Sequence, residues 1–372
     1  MVDISWLKNL KDKSNLILAS KPLDIINAYE YIYHSGKINF SEDTLVCIIG
    51  SGRNQQSIRE LCKSLNQDYV QLPSPDLYYS ILPKLLAKKL PSFLLNLMRA
   101  ILYLIRIPFW FWGASRAKKL QAFELIIMDS WRDKCAIASK VNWKQLAIID
   151  GGASTVTFNL VNNWVKSGPS HAIEKYLDYQ TLSRPGRVRP SGTFSGFIAK
   201  QVSQMPQIMH KNFFNKIKHS EKDIELFTSY SESLESKNII HNSLSYSCSI
   251  LKSKSLSQNI LIVGCTELDF LPLQYDVAKN LQLKNPELSL SIILHPTDLD
   301  KMEYSQNYKS SILEKVQSYN LNIIEIKSSL EVDMLFYEFN PPRHLVTYNS
   351  SFISWIQRIA PLVQVHVIDE IN

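Results

Sequence analysis

The chain predicts an α/β fold of two doubly wound domains, each a parallel sheet with helices on both faces. Three observations predict it. Short apolar runs of strand length alternate with amphipathic stretches of helix length, which is the rhythm of βα units. That rhythm lapses after residue 152 and resumes near 259, which separates two domains. At 372 residues, 45% hydrophobic and 20% charged, the chain is globular in composition and long enough to bury two cores.

The first strand is "NLILAS" (15–20). In "KPLDIINAYEYIYHSG" Ile25, Ile26, Tyr29, Ile32 and Tyr33 recur at helical spacing, and Gly36 closes the pattern. "TLVCIIG" (44–50) follows as a strand, "SGRN" as a turn and "QQSIRELCKSLN" as a helix. "ELIIMDS" (124–130) and "LAIIDGG" (146–152) are further strands with a helix between them. The stretch from 153 to about 250 is less regular, and "SRPGRVRPSGTFSG" (183–196) has a loop's Pro and Gly content. The second domain then runs through "NILIVGC" (259–265), a helix near 273–282, "LSLSIILHP" (288–296), a helix near 306–318 and "LNIIEI" (321–326). A short helix from Leu330, "HLVTYNSS" (344–351), a helix through Trp355 and "VQVHVIDE" (363–370) complete it. The expected domains are therefore residues 1–250 and 251–372.

A formal net charge of +7 favours anionic partners without choosing among nucleotide, phospholipid and nucleic acid. Cys47, Cys62, Cys135, Cys248 and Cys265 show no CxxC or CxxH spacing. That argues against a zinc site or a disulfide framework and suits a reducing compartment. The N-terminus is polar and charged before its first apolar run, so a cytoplasmic protein without a signal peptide is expected. One segment, "LPSFLLNLMRAILYLIRIPFWFWGASRAKK" (90–119), is strongly apolar, but Arg99 and Arg106 interrupt it and Pro108 breaks its helical pattern. Two arginines near the middle make a spanning helix costly. An interfacial helix over 90–112, anchored by Phe109–Trp112 on an anionic membrane, fits the pattern, as does a buried helix on the sheet.

Ligands of open α/β sheets bind beyond the carboxyl ends of the strands. Asp150, Gly264, His295 and Ser350 all fall at such ends. Asp150 precedes Gly151 and Gly152, whose lack of side chains gives a substrate room beside a carboxylate base. His295 precedes Pro296, which stops the strand and leaves the imidazole at the sheet edge, where it can donate to a phosphate. Glu331 opens a helix and can accept from a nucleotide. Ser350 and Ser351 lie between strand and helix, where hydroxyls and backbone N–H groups bind phosphate. Each has an ordinary structural use as well: turn, strand end, dipole partner or N-cap.

Taken in order, "IIDGG", "LHP" and "NSS" resemble the motifs of the bacterial GT-B sialyltransferases. These are the lipooligosaccharide enzymes of glycosyltransferase family 52, the capsular polysialyltransferases and the marine multifunctional enzymes. "LILASKPLDIINAYEYI" looks like the opening strand and helix of those families. "DIELFTSYSESLESKNIIHNSLSYS" (223–247) looks like their passage to the second domain, and "SSLEVDMLFYEFNPPRHLVTYNSSF" (328–352) like the stretch that carries the glutamate and serine pair. The resemblance touches most of the chain, through motifs of two or three residues each. It departs at Ile149, where the families usually carry a second acid.

The resemblance implies a GT-B architecture with two Rossmann-like domains facing a central cleft: an acceptor-binding N-terminal domain and a donor-binding C-terminal one. It implies an inverting, metal-independent transfer of sialic acid from CMP-sialic acid to a glycan or lipid-linked glycan hydroxyl. Asp150 would be the base and His295 the acid or phosphate clamp. Ser350 and Ser351 would hold the phosphate, Glu331 would bind cytidine, and Gly264 and Pro296 are counted with them as donor-binding. No cofactor, metal or nucleic acid is expected, only the CMP-sugar as substrate. CMP-Kdo is a competing donor. A UDP-sugar GT-B transferase and a non-catalytic GT-B-like protein of envelope glycan assembly are the other readings, the last favoured by Ile149.

Overall fold

The computed structural model describes residues 13–36, 40–49, 53–72, 122–129, 132–150, 160–182, 213–229, 238–242, 256–264, 270–294, 298, 302, 305–324, 341–348, 353, 356–357 and 360–368. The chain divides into two compact units, Met1–Leu244 and Ser245–Asn372. Each unit carries its own sheet, and every strand pair in both sheets is parallel. The fold is α/β with two doubly wound sheets, consistent with the two Rossmann-like domains of a GT-B protein.

The first sheet has seven strands: β1 (Asn15–Ala19), β2 (Thr44–Ile49), β3 (Tyr69–Leu72), β4 (Phe123–Met128), β5 (Trp143–Ile149), β6 (Ile224–Thr228) and β7 (Ile239–His241). Their order is β3-β2-β1-β4-β5-β6-β7. The chain winds outward from β1 in one direction, then returns to its other side at β4, so the switch point lies between β1 and β4. Apolar runs form these strands because helices cover both faces of the sheet. Every residue of β2 is buried, with no polar-out alternation.

Helix α1 (Pro22–His34) starts directly after β1, with Pro22 in its first turn, where a missing N–H costs nothing. Gly36, at φ +67°, ends it as its spacing predicts. The described part of this unit also holds the helices α2 (Phe40–Asp43), α3 (Arg53–Ser64), α4 (Arg132–Ala138) and α5 (Leu160–Leu182). Leu16, Leu18, Leu45, Ile126, Ile148, Trp164, Ile173, Tyr176 and Phe213 share one buried core.

The stretch read from sequence as irregular is regular where it is described. It supplies α5, a helical turn at 213–219, and both β6 and β7. Leu146 of β5 pairs with Ile224 of β6, and Leu226 of β6 pairs with Ile239 of β7, so this stretch extends the first sheet. The segment 223–247, read as a passage between domains, is thus sheet in its described part. The signal was weak because α5 is interrupted. Gly168 takes φ +79° and ψ 171° inside it, and Pro169 restarts the helix.

The second sheet holds β8 (Asn259–Val263), β9 (Ser289–Ile293), β10 (Asn322–Ile323), β11 (His344–Tyr348) and β12 (Gln364–Ile368), in the order β10-β9-β8-β11-β12. Helices α6 (Leu271–Lys284) and α7 (Gln306–Ser318) belong to it, and its core gathers Ile260, Ile262, Ile292, Ile312, Val316 and Val346. Among the described residues no helix is long and apolar enough to cross a membrane. The apolar segment 90–119 lies outside the described residues.

Candidate functional site

At the carboxyl edge of the first sheet the apolar strands give way together to polar residues: Ser20 after β1, Asp129 after β4, Asp150 after β5, Thr228 and Ser229 at the end of β6, and Asn242 after β7. Asp150, Thr228 and Ser229 are each at most 1% exposed. The Thr228 hydroxyl donates to Asp150 Oδ1 at 2.6 Å. The Ser229 N–H and hydroxyl both donate to Oδ2, at 2.8 and 3.0 Å. Parallel pairing of β5 with β6 sets this up, since Ile149 lies opposite Phe227 and the next residues on both strands meet beyond the ladder. The backbone is held too: Asn27 of α1 donates through Nδ2 to the Asp150 carbonyl at 3.1 Å, and Asn242 donates to Asn27 Oδ1 at 3.4 Å. A buried carboxylate is costly unless donors surround it, and here they fix its plane as well.

A second charged group sits at the switch point. Lys134, in the first turn of α4, is wholly buried. Its ammonium donates to Asp24 Oδ2 at 2.6 Å and to Asp129 Oδ1 at 2.8 Å. Lys21 Nζ stands 4.0 Å from Asp129 Oδ2 and is partly exposed. Asp24 Oδ2 also receives the N–H groups of Ser20 and Lys21 at 2.7 and 2.9 Å and the Ser20 hydroxyl at 3.3 Å. Burial pushes the Asp24 carboxyl up. The ammonium charges of Lys134 and Lys21, with hydrogen bonds from Lys134 and Ser20, outweigh burial and hold it below its ordinary value. Burial pushes Lys134 down, but Asp129 and Asp24 together raise it above its ordinary value. Both partners are therefore ionised at neutral pH.

In the second unit the Gly264 N–H donates to the Ile293 carbonyl at 2.8 Å, which carries the β8–β9 ladder to the strand end. Gln274 of α6 holds the Val263 carbonyl at 2.9 Å. The rings of Phe270 and Tyr348 lie 4.8 Å apart, bringing the start of α6 against the end of β11. The N-cap residue of α6, Phe270, makes no side-chain capping hydrogen bond. A helix start beside strand ends is a place where backbone N–H groups can meet an anion.

Of the residues singled out from sequence, Asp150 and Gly264 are described, and both stand at carboxyl ends of strands. Gly151, Gly152, His295, Pro296, Glu331, Ser350 and Ser351 lie outside the described residues. Sequence reasoning missed Asp24, Asn27, Asp129, Lys134, Thr228, Ser229 and Asn242. The Asp129 signal was present, since it ends "ELIIMD" as Asp150 ends "LAIID". The thiols of Cys47 and Cys62 are poor nucleophiles, since burial pushes Cys62 up to about 12 and Cys47 higher still. No protein-family model matches the chain, and comparison with curated proteins finds no match.

Proposed function

We propose that the protein is an inverting GT-B glycosyltransferase that moves sialic acid, or a related keto-acid sugar, from a CMP donor to a glycan hydroxyl. The observation that carries this reading is Asp150. It is the acid that the resemblance marks as the base, and it ends a central strand of the first of two Rossmann-like sheets with its carboxylate fixed by Thr228 and Ser229. In the reaction the acceptor oxygen attacks the anomeric carbon, its proton passes to Asp150, and the bond to CMP breaks with inversion. Because the phosphate is already a fair leaving group, the work left is orientation and charge neutralisation. His295, Ser350 and Ser351 are assigned the phosphate, with the α6 N-terminus beside the strand ends as an added anion site, and Glu331 the cytidine. A lipid-linked or envelope acceptor and peripheral attachment to an anionic membrane through residues 90–112 belong to the same proposal.

Calorimetric titration of the whole chain with CMP and with UDP tests the donor assignment. CMP is expected to bind and UDP to bind at least tenfold more weakly. His295→Ala is expected to weaken CMP by roughly 1.5–3 kcal/mol, the worth of a hydrogen bond to a charged group. Equal binding of the two nucleotides, or CMP affinity untouched by the substitution, overturns the assignment.

A further inference from the structure

The hydrogen bonds around Asp150 close into a ring. The Thr228 hydroxyl donates to Asp150 Oδ1 at 2.6 Å, and the Thr228 carbonyl accepts the Asn242 N–H at 2.9 Å. Asn242 Nδ2 donates to Asn27 Oδ1 at 3.4 Å, and Asn27 Nδ2 donates to the Asp150 carbonyl at 3.1 Å. Asp150 is thereby gripped at both ends, its carboxylate from β6 and its backbone from α1. We propose that Asn27 and Asn242 are positioning residues for the transfer, acting on the acceptor's proton through Asp150 rather than by touching a substrate.

Asn27 has no local use in its helix. It lies in the second turn of α1, past the N-cap at Lys21, among the buried Ile25, Ile26, Ala28 and Tyr31. It is wholly buried itself. An apolar side chain would suit that place better, because asparagine is a poor helix former and a buried amide must find partners. Among the described residues its amide meets the Asp150 carbonyl and Asn242. A carbonyl can only accept, so the Asp150 carbonyl draws Nδ2 and leaves Oδ1 to Asn242. Because α1 packs on β1, β4 and β5, the amide is carried by an element held against the strands it serves.

Holding the carbonyl fixes the backbone of Asp150 where the chain leaves β5, and with it the direction from which the carboxylate reaches Thr228 and Ser229. A base displaced by about 1 Å can lose roughly 10²-fold in rate. This role rests on the glycosyltransferase reading.

Steady-state CMP release from CMP-Neu5Ac and CMP-Kdo, with lactose as acceptor, tests it on the wild type, Asn27→Leu, Asp150→Asn and the double variant. Asn27→Leu is expected to lower kcat by about tenfold or more and to leave KM for the donor within about twofold. In the Asp150→Asn background Asn27→Leu is expected to add no further loss, since its effect passes through the carboxylate. A residue that only supports the fold would lower the rate by the same factor in both backgrounds, and that result overturns the proposal. An unchanged kcat in Asn27→Leu also overturns it. A slow Asp150→Asn beside a full-rate Asn27→Leu removes the positioning role alone. No release by the wild type, or undiminished release by Asp150→Asn, removes the base and this role together. If Asn27→Leu fails to melt cooperatively, Asn242→Ala decides, since it keeps Asn27 and withdraws only the donor to its Oδ1. That variant is expected to lower kcat by about threefold at unchanged KM, and an unchanged kcat overturns the proposal.

Discussion

Lys134 is the residue on which the first unit's strand ends depend most. It is wholly buried, and its ammonium donates to both Asp24 and Asp129. Lys134→Met conserves much of the volume but takes from two buried carboxylates the ammonium that bridges them. Removing one partner of a buried pair typically costs about 3–5 kcal/mol, so urea denaturation is expected to show a loss of that size. A loss under about 1 kcal/mol would mean that the carboxylates protonate or rehydrate without strain. Asp150 was legible in the sequence because a carboxylate that ends an apolar run before two glycines marks a strand end with open space beside it. Its partners were not. Thr228 and Ser229 open the hydroxyl-rich run "TSYSES", which reads as a loop, and only the β5–β6 pairing brings them to the carboxylate. Asp24 was hidden by its position: an acid in a helix's first turn is a routine dipole partner, and nothing local announces a lysine far along the chain.

At the scale of elements, helix α5 shows how one residue can hide a helix from periodicity. Gly168 takes a backbone conformation that is almost confined to glycine, and Pro169 begins a new helical segment. Ser170 then donates to Glu221, from its N–H at 3.3 Å and from its hydroxyl, tying the second half of α5 to the turn before β6. A Cβ at Gly168 would lie 3.4 Å from Glu221 Oε1, so space permits it and the backbone does not. Gly168→Ala is expected to cost about 1–3 kcal/mol in a thermal or denaturant melt, whereas Ser167→Ala, outside the strained position, is expected to cost less than 0.5 kcal/mol, roughly the surface norm. Equal effects would show that the kink stores no strain. Strands β1, β2, β4 and β5 were readable because each carries a run of consecutive buried apolar residues, Leu16–Ala19, Leu45–Ile49, Leu125–Met128 and Leu146–Ile149. β7 was not, since three residues carry no period. At two helix ends asparagine takes the place expected of glycine, with Asn66 at φ +50° and Asn320 at φ +51°.

The two units meet acid differently. In the second, His344 Nδ1 and His366 Nε2 stand 3.2 Å apart, and burial, with the neighbouring charge of His366 and Arg343 on His344, holds these imidazoles below their ordinary value of 6.5. A lowered folded value means stability that is present above 6.5 and lost as pH falls through the folded value. In the first, the lowered Asp24 gives stability present above 3.8 and lost as pH falls below it, while the raised Lys134 gives stability present below 10.5 and lost only above it. Melting temperature is therefore expected to drop between pH 7 and pH 5 in the wild type, and to drop less in His366→Gln. Identical pH profiles would remove the imidazole pair as the cause. The doubly wound architecture of the whole molecule was legible because its βα rhythm repeats in each half, whereas chemistry rests on motifs of two or three residues. The most direct test of that chemistry is CMP release from CMP-Neu5Ac and CMP-Kdo with a glycan acceptor, wild type beside Asp150→Asn, with the fold of each checked by melting. The wild type is expected to release CMP from one donor, and the variant to do so roughly 10²–10⁴-fold more slowly while still binding CMP. No release from either donor, or undiminished release by Asp150→Asn, would contradict the account.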